Sequence, residues 1–189
     1  IVKCFRDEDL RADRQPEFTQ IDIEMSFVDE EDVFSNMENL TRHIFKKVKD
    51  IELPDPFPRL TYQKAMELYG SDKPDLRYQM ELIDLKDFTD TSDFNVFRSV
   101  ERVKGIVCKG GAHYSRKIID ELTEFVKKYK AKGLAWMKFQ NNNFEGGISK
   151  FFSEELQGSI QNKLDINNGD ILFIVGDDSS IVLNALGQL

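Results

Sequence analysis

The 189-residue sequence contains few cysteines, and this scarcity excludes two common ways of holding a small domain together. The two cysteines, Cys4 and Cys108, lie far apart in the chain, and neither has a second cysteine at the spacing of a zinc site. A disulfide framework and a structural zinc site are therefore both disfavoured. Unpaired thiols are typical of reducing compartments, so we expect a cytoplasmic protein.

Long apolar runs and a phosphate-binding glycine loop are also missing. No apolar run approaches the roughly 20 residues that a membrane-spanning helix needs, so we expect no association with a membrane. The GxxxxGK[ST] pattern of a P-loop is absent. The net charge of −8 argues against a non-specific nucleic-acid coat, because that affinity requires many lysines and arginines. A local site for a phosphorylated ligand is still compatible with this charge.

The apolar content is sufficient for a packed core, since 40% of the residues are hydrophobic and fifteen are phenylalanine. The sequence starts in a strand-like run, IVKCF, without an initial methionine, and it ends on the helical pattern LNALGQL without a stop signal. We therefore expect this chain to be part of a longer polypeptide.

Strand-like segments near the start enclose an unusually long, charged loop. Ile1–Phe5 is a strand candidate, and alternating apolar and polar residues predict a second strand from Gln20 to Phe27. If the two strands pair as a hairpin, residues 7–19 form the connection, which is much longer than a tight turn requires. Loops of this kind often carry function. The competing interpretation is a solvated surface loop whose charges neutralise one another.

Capping residues predict the helices that follow. Asp29 is placed to begin a helix that runs to about Asp50, and Thr61 to begin one that Gly70 ends. Beyond about Met80, short strands alternate with amphipathic helices. The predicted strands are 94–97, 103–108, 134–139 and 171–175, and the predicted helices are 115–130, 153–164 and one from 179. This pattern predicts an α+β fold in two domains, 1–85 and 86–189.

The charged loop has the composition of a nucleotide pocket. Arg6 leaves the first strand where its guanidinium group can bind a phosphate or carboxylate bidentately, and Glu8 can accept hydrogen bonds from an amino-substituted ring. Phe18 offers a flat face for a base. A second charged stretch, KKYKAKG at 127–133, is most often a solvated helix end, although it is also able to contact RNA.

Three stretches of the sequence resemble bacterial-type aspartyl-tRNA synthetases. FRDEDLRADRQPEFTQ, residues 5–20, resembles motif 2 of the class II aminoacyl-tRNA synthetases, and GSDKPDLR, residues 70–77, resembles another signature of the same enzymes. Residues 92–189 resemble their insertion (GAD) domain, most clearly in 110–136. The resemblance implies part of the antiparallel-sheet catalytic domain in residues 1–85 and a separate α+β insertion domain in 86–189.

The resemblance also implies roles for individual residues. Arg6 would be catalytic, bridging the α-phosphate of ATP and the amino-acid carboxylate. The residues implied in ATP binding are Arg6, Asp7, Glu8, Arg14, Gln15 and Phe18. Those implied in aspartate binding are Arg6, Gln20 and Asp22, and those implied in contact with the tRNA acceptor end are Asp9, Leu10 and Arg11.

The implied activity is that of an aspartate–tRNA ligase, with ATP, L-aspartate and tRNA for aspartate, or also for asparagine, as substrates. A homodimer and Mg²⁺ are expected for the full-length enzyme, with the metal ligands outside this chain. The alternative is a tRNA-contacting or docking module, related to proteins of tRNA-dependent amidation, that performs no adenylation. Residues 5–20 distinguish the two, because a docking module has no need of an adenylate pocket.

Overall fold

The computed structural model describes residues 1–9 and 11–189, which form two compact units, residues 1–59 and residues 60–189. The predicted α+β class is confirmed, because helices combine with strands that pair only in antiparallel fashion throughout the described residues. None of the helices in the described part of the chain is long and apolar enough to cross a membrane.

The first unit consists of a hairpin and one long helix. Strands β1 (Val2–Phe5) and β2 (Glu17–Gln20) pair antiparallel. Helix α1 (Glu30–Lys49) starts at Asp29, whose carboxylate accepts a hydrogen bond from the Asp32 amide, as the sequence predicts. The predicted strand from Gln20 to Phe27 is wrong beyond its first residue. Val2 pairs with Gln20, so β1 offers almost no partner to the residues that follow.

The second unit is built around a five-stranded antiparallel sheet. Helix α2 (Tyr62–Tyr69) precedes it, with Thr61 and Gly70 at its ends as predicted. The strand order is β3-β4-β7-β5-β6. The strands are β3 (Ile83–Asp84), β4 (Arg102–Cys108), β5 (Ala135–Gln140), β6 (Asn143–Glu145) and β7 (Ile171–Asp177).

Helices cover both faces of this sheet. They are α3 (Lys86–Asp90), α4 (Asn95–Arg98), α5 (Arg116–Lys127), α6 (Glu154–Leu164) and α7 (Ser179–Gln188). Apolar side chains of α3, α4 and α6 pack in one core cluster, and those of α5 and α7 pack in the other. The central strand β7 is buried along almost its whole length, which explains its nearly continuous apolar sequence.

One predicted strand is a helix. The apolar residues of 94–97 predict a strand, but Asn95–Arg98 forms α4. The helical turn places Phe94 and Phe97 on the same side, with ring centroids 4.8 Å apart, and Phe97 enters the core. A four-residue apolar run does not distinguish these two outcomes, because its periodicity is too short.

The compact units divide between Arg59 and Leu60, which is earlier than the predicted domain division at 85/86. Helix α2 accounts for the difference, because Gly70 at its end packs directly on α7. A Cβ atom at Gly70 would lie 2.0 Å from the carbonyl oxygen of Leu183. The division at 85/86 stays a prediction about domain organisation in the family, while the packing unit starts at residue 60.

Candidate active site

The hairpin register places Arg6 and Phe18 on the same face. Cys4 pairs with Phe18, and the Arg6 amide donates a 2.9 Å hydrogen bond to the carbonyl oxygen of Pro16, which extends the hairpin beyond β1. Alternate residues of a strand share a face, so the side chains of Cys4, Arg6, Phe18 and Gln20 lie together. The local sequence thus delivers a cation and an aromatic ring to one surface.

Five of the six residues predicted to bind ATP line one cleft. This cleft has a volume of about 220 Å³ and is lined by Arg6, Glu8, Asp13, Arg14, Gln15 and Phe18. A wider cleft of about 380 Å³ adjoins it, since the two share three residues. The wider cleft is lined by Arg6, Glu8, Asp9, Arg11 and Arg14. Residues predicted for ATP and for the tRNA acceptor end therefore border one another.

The carboxylate of Glu8 lies between two arginines. It is 3.7 Å from the Arg6 guanidinium group and 3.3 Å from that of Arg14, and Arg14 is also 3.4 Å from Asp13. All of these side chains remain partly exposed, so the ion pairs are weak and solvent competes for each of them. A polyphosphate carries more negative charge than Glu8, and its oxygens can bind both arginines bidentately, so it can compete with Glu8 for them.

Arg6 also stacks on Phe18, with its guanidinium carbon 5.2 Å from the ring centroid. Phe18 is half-buried on β2, so its ring is held in place by the hairpin. A cation above an aromatic face is attracted by the ring quadrupole, which holds the guanidinium group over the cleft. This contact orients the residue predicted to be catalytic.

Three predicted residues do not line either cleft. Asp7 is exposed beside Arg6. The Gln20 amide oxygen accepts a 3.2 Å hydrogen bond from the Cys4 thiol, and Asp22 is exposed beyond the end of β2. Their roles in ATP and aspartate binding stay predictions, and the prediction for Leu10 falls outside the described residues.

The GSDKPDLR signature forms a local ion pair. Asp75 begins a short 3₁₀ turn, Leu76–Tyr78, and its carboxylate accepts hydrogen bonds from the Arg77 amide and guanidinium group. These hydrogen bonds from the Arg77 side chain, and then from its amide, lower the pKa of Asp75 to about 2. The signature therefore presents a charged pair that stays ionised at neutral pH.

A buried lysine on the sheet holds helix α2, which precedes this signature. The sequence analysis did not predict this contact. Lys104 on β4 is almost fully buried, and its ammonium group lies 2.5 Å from the Glu67 carboxylate and 2.8 Å from the Glu67 carbonyl oxygen. Arg102 also pairs with Glu67 at 2.9 Å. The only sequence signal is a lysine within the apolar segment 103–108, and its partner lies 37 positions away.

No part of the described chain is arranged as a metal centre. Among residues 1–9 and 11–189, no three histidine, cysteine, aspartate or glutamate side chains are grouped to hold an ion. The cleft residues themselves suit the binding of anions by the arginines and of a flat ring by Phe18.

Comparisons with known proteins identify the family. Residues 1–176 match the family model described as tRNA synthetases class II (D, K and N). Over its whole length the chain is 52% identical to the aspartate–tRNA(Asp/Asn) ligase of Natranaerobius thermophilus. It is similarly 53% identical to the aspartate–tRNA ligase of Halalkalibacterium halodurans and 54% identical to the aspartate–tRNA(Asp/Asn) ligase of Persephonella marina.

The chain spans about a third of the length of these curated relatives, 33%, 33% and 32% respectively. The match therefore concerns a continuous part of longer proteins, and it includes both the hairpin and the five-stranded sheet. On the family match and on identity along its entire length, the chain belongs to the class II tRNA synthetases of the D, K and N group.

Proposed function

We propose that this chain is part of an aspartate–tRNA ligase, which uses ATP to activate L-aspartate and then transfers the aspartyl group to tRNA. One observation carries the proposal: Arg6, Glu8, Arg14, Gln15 and Phe18 share one cleft in a chain that is more than 50% identical to proteins of that name. Because the chain spans a third of those proteins, the activity is proposed for the full-length protein.

In the first step, a carboxylate oxygen of aspartate attacks the α-phosphorus of ATP, and the bond to pyrophosphate breaks. Negative charge increases on the α-phosphate oxygens during this attack. Arg6 would bridge the α-phosphate and the attacking carboxylate, which aligns the two reactants and stabilises the developing charge. In the second step, a hydroxyl group of the terminal tRNA ribose attacks the aspartyl carbonyl carbon, and AMP leaves.

The other predicted residues take supporting roles. Glu8 would accept hydrogen bonds from the amino group of adenine, and Phe18 would stack on its ring. The residues proposed to hold the rest of ATP are Asp7, Arg14 and Gln15. Those proposed to surround the aspartate ammonium group are Gln20 and Asp22, and those proposed to meet the tRNA acceptor end are Asp9, Leu10 and Arg11.

Several properties of the full-length protein follow from the proposed activity. Mg²⁺ would neutralise phosphate charge in ATP, with ligands outside this chain. A homodimer and a cytoplasmic location, where ATP and tRNA are available, complete the proposal. The tRNA is that for aspartate, with the asparagine tRNA as a second candidate, since similar relatives carry both kinds of name.

The alternative function, a tRNA-docking module without adenylation, receives less support. It gives no reason for the cleft around Arg6, and the similar relatives are named as ligases.

Amino-acid-dependent exchange of pyrophosphate into ATP tests the proposal. The full-length protein should catalyse exchange with aspartate, and not with asparagine or lysine, the other amino acids of its family group. It should then charge aspartate tRNA, and the asparagine tRNA is tested alongside. Exchange with lysine or asparagine instead, or with none of the three, would overturn the assignment.

A further inference from the structure

A further cleft is lined by charged groups whose sign is opposite to the net charge of the chain. It lies between the end of α5 and the start of α7 and has a volume of about 360 Å³. We call it the α5–α7 cleft, and its lining residues are Lys128, Tyr129, Lys130, Ser180, Ile181 and Asn184. This lining contains two lysines and no carboxylate, in a chain of net charge −8. The cleft around Arg6, by contrast, includes Glu8.

The two lysines of the cleft carry charge that the protein itself does not neutralise. Their sequence neighbours are compensated, because Lys127 pairs with Glu124 at 2.7 Å and Lys132 pairs with Asp177 at 3.1 Å. Within residues 1–9 and 11–189, no carboxylate lies within ion-pair distance of Lys128 or Lys130. The cleft therefore presents two ammonium groups that no carboxylate of the described residues pairs with, and that of Lys128 lies 6.0 Å from the centroid of the Phe125 ring.

The turn that carries these lysines is anchored by the packing of its neighbours. Lys130 adopts a left-handed backbone conformation with φ of 72°, which is uncommon for a residue with a long side chain. The neighbours on both sides fix the turn: Tyr129 packs on Phe125 with ring centroids 5.3 Å apart, and Ala131 is buried in the core. A turn that is already anchored by packing loses less conformational entropy on ligand binding than a mobile loop does.

The acidic groups near the start of α7 are not among the residues that line the cleft. Glu101 accepts a 2.9 Å hydrogen bond from the Ser179 amide, and Asp177 is buried against Lys132. Asp178 is exposed at the start of α7 but does not belong to the lining. The groups that do line the cleft with polar atoms, Ser180 and Asn184, include a hydroxyl and an amide that can donate hydrogen bonds.

From this arrangement we infer that the α5–α7 cleft binds phosphate groups of a tRNA backbone, through Lys128 and Lys130 with Ser180 and Asn184. The cleft is open and its donors suit phosphate oxygens, so the contact adds affinity without reading sequence. The choice of tRNA as the source of phosphate rests on the proposed function. The inference adds a tRNA-binding surface formed by residues other than those proposed for the acceptor end.

The test compares two double variants of the full-length protein. K128A/K130A removes both charges of the cleft, and K117A/K163A removes two exposed lysines elsewhere in the same unit. Binding of aspartate tRNA is followed by fluorescence anisotropy between about 50 and 300 mM salt. At about 0.1 M salt, K128A/K130A should bind about 3- to 10-fold more weakly, and its log–log salt slope should be shallower by about 1 to 2. The control variant should retain more of its affinity.

Pyrophosphate exchange, which needs no tRNA, should be unchanged in K128A/K130A and so reports intact folding. Equal tRNA binding by the two variants would overturn the inference. Binding of tripolyphosphate to the same variants is measured as a second probe. If K128A/K130A lost tripolyphosphate binding but kept its affinity for tRNA, the inference would also be overturned, because the site would then serve a free polyphosphate. Absence of aspartate-dependent exchange in the unmodified protein would refute the proposed function, whereas the comparison of tRNA affinities decides the role of the cleft independently.

Discussion

The guanidinium carbon of Arg6 lies 5.2 Å from the centroid of the Phe18 ring, so the residue proposed to bind phosphate contacts the one proposed to bind adenine. The antiparallel register fixes both residues, because Phe18 pairs with Cys4 and the Arg6 amide bonds to Pro16. In bound ATP, the adenine base would therefore lie against Phe18 and the α-phosphate against Arg6, two residues that contact each other. Perturbing either residue should affect ATP in a distinct way.

Replacing Phe18 by leucine in the full-length protein should raise the KM for ATP about 2- to 10-fold, because stacking with the base is lost. The KM for aspartate should change little, and Phe18→Tyr should retain most of the affinity for ATP. Steady-state exchange kinetics at varied ATP and varied aspartate measure both constants. An equal rise in the two constants would indicate a general distortion of the hairpin and contradict a stacking role.

The first unit should be poorly protected when the 189-residue chain is studied alone. Among its described residues, no apolar side chain of 1–59 is buried, and large ones on α1 such as Phe34 and Val48 are 43% and 69% exposed. Without apolar burial, a helix has little tertiary stabilisation. Amide hydrogen exchange should therefore be faster in α1 than in β7. Equal protection of α1 and β7 in the isolated chain would be the contrary result.

The isolated chain should also lack aspartate-dependent exchange of pyrophosphate into ATP. The described cleft supplies Arg6 and its neighbours, but these side chains are partly exposed and water competes for each charge. The full-length protein, assayed at the same concentration, is the control. Exchange by the isolated chain at a rate close to that of the full-length protein would contradict this expectation.

Asp170 should stabilise the second unit in a pH-dependent way. Burial raises the pKa of its carboxyl group, but hydrogen bonds from the Asn167 and Gly110 amides and from Lys109 outweigh burial, so the pKa lies below its ordinary value. A pKa that is lower in the folded state gives stability that is present above the unfolded pKa. This stability is lost as the pH falls through the folded value.

Asp170→Asn should therefore reduce the free energy of unfolding by about 1 to 3 kcal/mol at pH 7. The difference from the unmodified chain should shrink below about pH 4, the ordinary range of an aspartate pKa. Urea denaturation at several pH values measures it, with the exposed Asp120 replaced by asparagine as the matched control. A difference that stays constant down to about pH 2 would exclude a role for the ionised carboxylate.

The Lys104–Glu67 contact predicts an unequal response to removal of its two partners. Glu67→Ala leaves the buried Lys104 without its carboxylate and should cost about 1 to 3 kcal/mol, since Glu67 is itself 40% exposed. Lys104→Met leaves a carboxylate that still has Arg102 and solvent, so it should cost less. Thermal unfolding of the two variants and of the double variant measures this order. A larger loss in Lys104→Met would contradict the account.

The sequence predicted best those elements that carry their own local signals. Asp29 and Thr61 each begin a helix as their side chains predict, because N-capping depends only on neighbouring amides. The helices predicted from residues 115 and 153 also form, and Ser115 and Ser153 are their N-caps. The long strands β4, β5 and β7 were predicted from apolar runs. The shorter strands β3 and β6 were missed, since two or three residues carry no measurable periodicity.

Features that depend on distant partners could not be predicted from sequence. The alternation of Gln20–Phe27 is typical of a strand, but a strand forms only where another strand can pair with it. Gln20 already pairs with Val2 at the start of β1, so the residues after Gln20 have no partner strand there. In the candidate site, too, the local composition was predictable and the contacts between distant residues were not. The stretch 5–20 suggested a nucleotide pocket by composition, whereas the contacts of Arg6 with Phe18 and of Glu8 with Arg14 follow from the hairpin register.

The central claim is that Arg6 stabilises the charge that forms when aspartate attacks ATP. The most direct measurement is single-turnover formation of aspartyl-adenylate by the full-length protein and its Arg6→Ala variant, with Arg11→Ala as a control from the same cleft. Loss of a charged donor at the reacting phosphate should slow adenylate formation by about 100-fold or more, while Arg11→Ala, proposed to act on tRNA, keeps this step. Adenylate formation by Arg6→Ala at close to the unmodified rate would contradict the account.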